Sequence, residues 1–222
     1  MEKLLIFSVF AGMFLINVHC KNSNENSSKK LWTEEDRSLI LAELNRTNNE
    51  LMIEIENLSD AQWNFRETAE RWSINEIVEH LEIQNELHYR QIMVVSNSPQ
   101  MLQYVSVTKD MDEIFSNYAT DTLKRQAKPF LEPIGRFCSK AESIHAFNRA
   151  RYLIVEFVKN TDVDLRKHFS FSNQIEGKSL DEIKPKEVFD LHQLLLLGIA
   201  HTDRHLRQIR AIKKHPNYIE LQ

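Results

Sequence analysis

The sequence is poor in the residues that make tight turns. Only 4 of its 222 residues are glycine and 5 are proline, and few stretches alternate apolar with polar side chains. A fold of many short strands would need both features. Their scarcity predicts an all-α chain, in which long helices are joined by a few loops.

Cysteine is equally scarce. Cys20 and Cys138 lie far apart and form no C-x-x-C pair, so a zinc ribbon and a thioredoxin-like redox motif have no support. A disulfide between the two stays open at this stage. One pair would not define a disulfide-stapled fold.

The chain also lacks an excess of positive charge. Its 28 lysines and arginines are outnumbered by 32 acidic residues, which gives a formal net charge of −4. Proteins that bind nucleic acid need a basic surface, so we expect no nucleic-acid partner. Hydrophobic residues make up 42% and charged residues 27%, which fits one packed domain.

The amino terminus has the features of an export signal. In MEKLLIFSVFAGMFLINVHC the apolar core runs from Leu4 to Ile16, which suits a signal peptide and is shorter than the ~20 residues of a spanning helix. We predict a signal peptide at 1–20 and an exported, periplasmic protein. The protein would be cytoplasmic if this segment is not a working signal, in which case it could form a first helix of the domain.

Cys20 stands where a bacterial lipoprotein carries its lipidated cysteine. Lipid attachment prefers a small residue before that cysteine, whereas His19 occupies the position. A membrane tether through Cys20 and a plain cleaved signal therefore both stay open. The polar stretch KNSNENSSKK follows without an apolar residue, which predicts a disordered linker at 21–32 and a folded domain at 33–216.

Capping signals place four long helices in that domain. The predicted N-caps of the first three helices are Thr33, Ser73 and Ser139. Glu76 and Glu142 follow the two serines at the spacing of a capping box. The fourth helix is predicted to begin at Pro185 and to end near Lys214.

Apolar residues recur at helical spacing along the first two of these helices. The first predicted stripe is Leu41, Leu44, Leu51, Ile55 and Leu58, and the second is Ile74, Ile77, Val78, Leu81 and Leu87. The section 96–136 carries three prolines and is predicted to be a long connection with a short helix near 111–127. The resulting fold is an all-α four-helix bundle with one long crossover.

Two histidines of the last helix lie on one face. His201 and His205 are four residues apart, which places them one turn from each other and suits two ligands of one ion. With 9 histidines in the chain, such a pair also arises by chance, and a polar surface at the end of an apolar helix explains it equally well. The pair alone does not distinguish a metal site from a polar helix surface.

His80 is the second candidate, because it lies mid-helix beside the apolar stripe. A buried histidine must be hydrogen-bonded or bound to an ion, since an unmet polar group costs about 1–3 kcal/mol. Taken alone, His80 reads as a hydrogen-bonded core residue. The remaining histidines are given no ligand role: His88 is turned away, His145 and His192 lack partners at ligand spacing, and His168 and His215 are predicted at the surface.

Two motifs taken together resemble the DinB-like superfamily of four-helix metal-binding proteins. RWSINEIVEHL at 71–81 is similar to the W-S-[IV]-x-E-[IL]-x-x-H-[IL] pattern of their second helix, and IAHTDRHLRQI at 199–209 to the A-H-x-x-R-H-x-x-Q-[IL] pattern of their last. The resemblance spans about residues 33–214. It implies that His80, His201 and His205 bind one divalent metal and leave its other positions to water or substrate.

The resemblance further implies a metal-dependent transferase or hydrolase that acts on a small molecule. Members of this superfamily transfer low-molecular-weight thiols, and a bound metal would present a hydroxide or thiolate near neutral pH. Glu76 and Gln208 are candidates to orient the ligands. No general base stands beside the histidines, so catalytic residues stay unassigned.

Several alternatives stay open in the sequence. An exported protein would leave the compartment where such thiols are kept reduced, which favours a hydrolase, or a non-enzymatic, membrane-tethered bundle that binds a partner or a metal. Imidazole ligands accept zinc, nickel, iron, manganese or copper, so the cofactor is a divalent metal ion of undefined identity. Superfamily members often pair through their helices, which predicts a homodimer.

Overall fold

The computed structural model describes residues 29–120, 126–172, 177–184 and 186–219. The predicted signal peptide, with Cys20, lies outside this part of the chain. The helices are α1 Glu34–Ile55, α2 Asp60–Trp63, α3 Ile74–Ser96, α4 Val105–Thr108, α5 Asp112–Ser116, α6 Lys140–Asn160, α7 Leu191–Ile212 and α8 Pro216–Ile219. Short 3-10 turns lie at Leu102–Tyr104, Asn117–Thr120, Pro129–Leu131, Leu165–Lys167 and Leu180–Glu182.

The three predicted N-caps are confirmed. Thr33, Ser73 and Ser139 each accept a hydrogen bond from the backbone N–H three residues ahead. Glu76 completes the predicted capping box with Ser73, and Asp36 completes another with Thr33. These side chains satisfy N–H groups that have no partner inside the helix.

The fourth helix begins later than predicted. α7 starts at Leu191, and Asp190 is its N-cap with Gln193 as the capping-box partner. Before it, strand β2 (Val188–Asp190) pairs antiparallel with β1 (Phe169–Phe171), so that Phe169 lies opposite Asp190. The chain is therefore still extended where the helix was predicted, and Pro185 lies outside the described residues. Three-residue strands are too short to show an alternating pattern.

Two apolar clusters form the core of the bundle. The upper cluster consists of Leu51, Ile55, Leu58, Trp63, Ile74, Ile77, Val78, Leu81, Phe147, Leu206, Ile209, Ile212 and Tyr218. The lower cluster consists of Trp32, Ile40, Leu44, Ile92, Phe115, Ile154, Val158, Leu165, Phe189, Leu191, Leu194, Leu195, Leu196 and Ile199. The all-α prediction is confirmed, apart from one pair of short strands in the part of the chain that the structure describes.

The order of the clusters along each helix gives the direction of the four long helices. α1 and α7 begin in the lower cluster and end in the upper one, whereas α3 and α6 run the other way. α3 packs against α6 and α7, and α1 packs against the same two helices. The link from α3 to α6 must therefore return from the lower end to the upper end. This is the predicted long crossover, and it passes over α7.

A polar layer separates the two clusters. Each long helix contributes to it from its core face: Thr47 from α1, His88 from α3, Arg151 from α6 and Thr202 from α7, all of them buried. Arg151 donates to the Thr202 hydroxyl at 2.7 Å. Its burial lowers the pKa of the guanidinium to about 10, which still leaves it charged at neutral pH.

Some predicted core positions shift by one residue. In α1 the buried residue is Ile40 rather than Leu41, and in α3 Leu87 is 37% exposed. A helix advances 100° per residue, so a one-residue error in register moves a side chain from the core to its edge. The short helix predicted near 111–127 is present as α5 and the turn that follows it to Thr120.

Residues just before position 33 and just after position 216 contact the bundle. The backbone N–H groups of Leu31 and Trp32 donate to the Asp164 carboxylate at 2.7 and 2.9 Å, and Trp32 is fully buried in the lower cluster. At the other end, Tyr218 of α8 is buried in the upper cluster. Among the helices of the described residues, none is long and apolar enough to cross a membrane.

Candidate metal centre

Three histidine side chains from two helices meet where α3 and α7 pack together. His80 lies on α3, and His201 and His205 lie one turn apart on α7. The Nε2 atom of His201 is 3.2 Å from that of His80 and 3.1 Å from that of His205. The structure thus brings together the three histidines that the sequence had singled out.

Hydrogen bonds at the opposite ring nitrogens turn two of these imidazoles inward. His80 Nδ1 donates to the Leu131 carbonyl at 2.7 Å, and His205 Nδ1 donates to the Gln208 side-chain oxygen at 3.0 Å. Because both acceptors are oxygens that only accept, each Nδ1 carries the proton and each Nε2 presents a lone pair. His201 Nδ1 is buried without a partner.

The three nitrogens fit one divalent ion. A tetrahedral centre with metal–nitrogen bonds of about 2.0–2.1 Å separates its ligand nitrogens by about 3.3 Å, close to the two distances observed. Within the described part of the chain, these histidines form a group that could hold a metal, and no carboxylate or thiol joins it. Such an all-imidazole set leaves room for one or more further ligands.

The surroundings keep the imidazoles neutral. Burial lowers the pKa of His80, although its bond to the Leu131 carbonyl opposes the shift. Burial, and then the neighbouring imidazole of His80, lowers the pKa of His205 to about 3. The pKa of His201 is lowered by burial and by its two partners. Since only neutral imidazole binds a metal, the group is ready for an ion at neutral pH.

Aromatic side chains flank the cluster. Trp72 packs against two of the imidazoles, with centroid distances of 4.9 Å to His80 and 6.4 Å to His205. Tyr118 lies against His201 at 5.9 Å, and the Arg204 guanidinium lies 5.2 Å above the Tyr118 ring. The sequence motifs assign no role to these rings. Trp72 belongs to the motif that precedes His80, but Tyr118 comes from the crossover and has no such signal.

The two predicted orienting residues differ in outcome. Gln208 does contact His205, as its position one turn further along α7 suggests. Glu76 is not a hydrogen-bond partner of His80, whose ring nitrogens face the Leu131 carbonyl and His201. Its carboxylate accepts from the Ser73 backbone at 2.9 Å and pairs with Arg66 at 2.5 Å, because the first turn of α3 needs its cap. The acceptor for His80 is instead a backbone carbonyl, which has no sequence signature.

The other histidines lie outside the cluster. His88 is buried and accepts from the Gln84 amide at 2.5 Å. His192 is buried and accepts from the Trp32 indole at 3.2 Å. The predicted surface position of His168 is wrong: this residue is 6% exposed, and its Nδ1 donates to the Val95 carbonyl at 3.2 Å. It follows the turn that carries Leu165 into the lower cluster.

Comparison with known proteins supports the family suggested by the motifs. The family model of the DinB superfamily matches residues 43–209, which is well over half of the chain and includes all three histidines. No curated protein and no solved structure gives a significant match.

Proposed function

The chain belongs to the DinB superfamily, and we propose that it is a metal-dependent transferase or hydrolase that acts on a small molecule through His80, His201 and His205. The observation that carries this proposal is the convergence of three Nε2 atoms, two of them fixed by hydrogen bonds at Nδ1. The same observation favours a divalent metal as the cofactor.

The charge of the donor set favours an anionic ligand. Three neutral imidazoles add no negative charge, and no carboxylate of the described residues joins the group. A bound divalent ion would keep its full charge and, as a Lewis acid, lower the pKa of a thiol or water. This agrees with thiol transfer, the activity that the superfamily resemblance suggests.

The protein's own residues hold the ligands and limit the access of water. The Leu131 carbonyl and the Gln208 amide keep two imidazoles in the tautomer that binds through Nε2. Trp72 and Tyr118 cover ring faces of the cluster. Aromatic faces beside the cluster suit contact with an organic molecule that carries a thiol or an ester.

Elemental analysis of protein purified without chelators tests the metal site. We expect one divalent ion per chain in the wild type and its loss in His80→Ala and His205→Ala. The matched control is His145→Ala, since His145 is an exposed residue of α6 and not a member of the histidine cluster. Metal-free wild type, or equal metal contents in all four proteins, would refute the proposal.

The ligand class is tested by thermal shift. We expect thiols to stabilise metal-loaded protein and to leave metal-stripped protein unchanged, because their binding needs the ion. Stabilisation by esters alone would select hydrolysis over thiol transfer. Equal shifts with and without metal would show that the compounds bind elsewhere.

We further propose export of the protein. Leu31 and Trp32 hold the beginning of the domain against Asp164, so cleavage after residue 20 leaves every described contact in place. Intact-mass measurement on fractionated cells distinguishes three products: a cleaved chain, a lipid-modified chain that begins at Cys20, and an uncleaved cytoplasmic chain. The last of these would contradict export.

Light scattering tests the predicted homodimer.

A further inference from the structure

Glu79, the residue before the ligand His80, binds a backbone segment rather than an ion. The residue is 2% exposed. One carboxylate oxygen accepts from the N–H groups of Ile134 and Arg136, both at 3.1 Å, and the other accepts from Gly135 at 3.0 Å. Three consecutive backbone donors thus converge on one carboxylate.

This carboxylate fastens the last part of the crossover, residues 129–136, which we call the strap. Gly135 has a φ of 73°, a conformation that glycine adopts without strain and that turns the neighbouring N–H groups toward one acceptor. Arg136 adds a side-chain contact to Glu79 at 3.4 Å and pairs with Glu82 one turn further along α3. Two buried carboxylates of α3 therefore hold one end of the strap.

The other part of the strap reaches the metal centre. The carbonyl of Leu131 accepts the Nδ1 proton of His80 at 2.7 Å. Adjacent residues of a helix point about 100° apart, so Glu79 and His80 form hydrogen bonds to the strap from two different faces of α3. A displacement of the strap at Glu79 would move the carbonyl that fixes His80.

We propose that Glu79 is a positioning residue of the metal centre. By holding the strap, it keeps the Leu131 carbonyl against His80 Nδ1 and so keeps Nε2 directed at His201 and His205. The expected change in metal affinity rests on the proposed metal site. The effect of Glu79 on the position of the His80 ring does not, because it exists in the metal-free protein as well. Ligand-orienting contacts of this kind change metal affinity by about 10–100-fold.

A purely structural role would have a different outcome. Buried carboxylates need partners wherever they lie, and loss of Glu79 would lower stability even if His80 were unaffected. The two roles are separated by the tautomer of His80, which reports the contact with Leu131 and not the stability of the fold. Long-range proton–nitrogen NMR spectra assign that tautomer.

The experiment compares Glu79→Gln with Glu86→Gln. The first variant keeps the shape of the side chain but presents an NH2 group to backbone donors. The second changes a carboxylate of the same helix that pairs with Arg90 at the surface. In metal-free Glu79→Gln we expect a mixed His80 tautomer, and a zinc affinity about 10–100-fold weaker by chelator competition. Glu86→Gln should keep the wild-type tautomer and affinity.

A second variant covers the case in which Glu79→Gln does not fold. Gly135→Ala leaves Glu79 intact, and no atom lies within 4 Å of the added Cβ, so it strains only the turn. It should shift the tautomer and weaken zinc binding in the same direction. An unchanged His80 tautomer in either folded variant would overturn the proposal. Wild-type protein that binds no zinc would instead refute the proposed function, while the tautomer still tests Glu79.

Discussion

At the scale of single residues, the three histidines are held differently. His80 relies on a backbone carbonyl and His205 on a side chain, whereas His201 has no partner at Nδ1. Only the partner of His205 can be exchanged by substitution. Gln208 is therefore the position at which the contribution of a ligand's hydrogen bond can be measured directly.

Gln208→Leu should weaken zinc binding by about 10-fold or more, because it leaves the buried Nδ1 of His205 without an acceptor. Gln208→Glu should keep or strengthen binding, since a carboxylate accepts the same hydrogen bond. Chelator competition at neutral pH measures both. Arg207→Leu, an exposed neighbour, is the control, and an affinity loss of the same size there would contradict the assignment.

The lowered pKa values of the ligands predict an unusual pH dependence of metal binding. Protons compete with metal only below the pKa of the metal-free imidazole, and the pKa of His205 is lowered to about 3. The apparent dissociation constant should therefore rise less, as the pH falls from about 7.5 to about 6, than it would for three ordinary imidazoles with a pKa near 6.5. Titrations at a series of pH values check this, and a loss of affinity as steep as that of ordinary imidazoles would contradict it.

At the scale of helices, α3 and α7 pack closely at Gly198. A Cβ at this position would lie 3.0 Å from His88 Nδ1, and His88 is buried and bound to Gln84. The glycine thus allows an imidazole to fit between the two helices that carry the metal ligands.

Gly198→Ala should lower the free energy of unfolding by about 1–3 kcal/mol, because the imidazole must move in a packed core. Without that clash, alanine stabilises a helix interior by about 1 kcal/mol relative to glycine. In a His88→Ala background the same substitution should therefore be neutral or stabilising. Denaturant unfolding of the four proteins in this cycle measures the difference, and an equal effect in both backgrounds would show that His88 is not the cause.

The sequence predicts helices better than it predicts their contacts. Capping signals identified Ser73 and Ser139 because a cap depends on residues three positions apart. The start of α7 is misplaced when Pro185 is taken as its first turn, because β2 keeps residues 188–190 extended by pairing with the distant β1. Asp190 and Gln193 themselves stand at the spacing of a capping box. The motifs located the three histidines, whereas Tyr118 and the carbonyl of Leu131 reach the site through the crossover, and a contact between distant segments leaves no local pattern.

At the scale of the whole molecule, the polar layer makes stability depend on pH. Burial, and then the charge of Arg151, lowers the pKa of His88 from 6.5 to about 4. Between about pH 6.5 and 4, His88 is therefore protonated in the unfolded chain but neutral in the folded chain. Stability from this group is fully present above pH 6.5 and falls as the solution becomes more acidic.

His88→Leu tests this contribution. Between about pH 8 and 5, wild-type protein should lose about 2 kcal/mol of unfolding free energy through His88. Over the same pH range the unfolding free energy of the variant should fall by about 2 kcal/mol less than that of the wild type, whatever its value at pH 8. Urea unfolding of metal-free protein at both pH values gives the two differences. Equal losses in the two proteins would show that His88 titrates normally.

The chain enters and leaves the bundle at opposite ends. Leu31 is fastened beside the lower cluster, and α8 packs in the upper one. His201 lies ten residues beyond the start of α7, or about 15 Å along the helix axis from the end that holds Leu31. A sensor chip that captures the protein by its amino terminus leaves the other end of the bundle unattached, the end at which His80 and His205 adjoin Leu81 and Leu206 of the upper cluster. A carboxyl-terminal fusion would instead place its partner at the histidine-bearing half of the molecule, so affinity measurements should use the amino-terminal attachment.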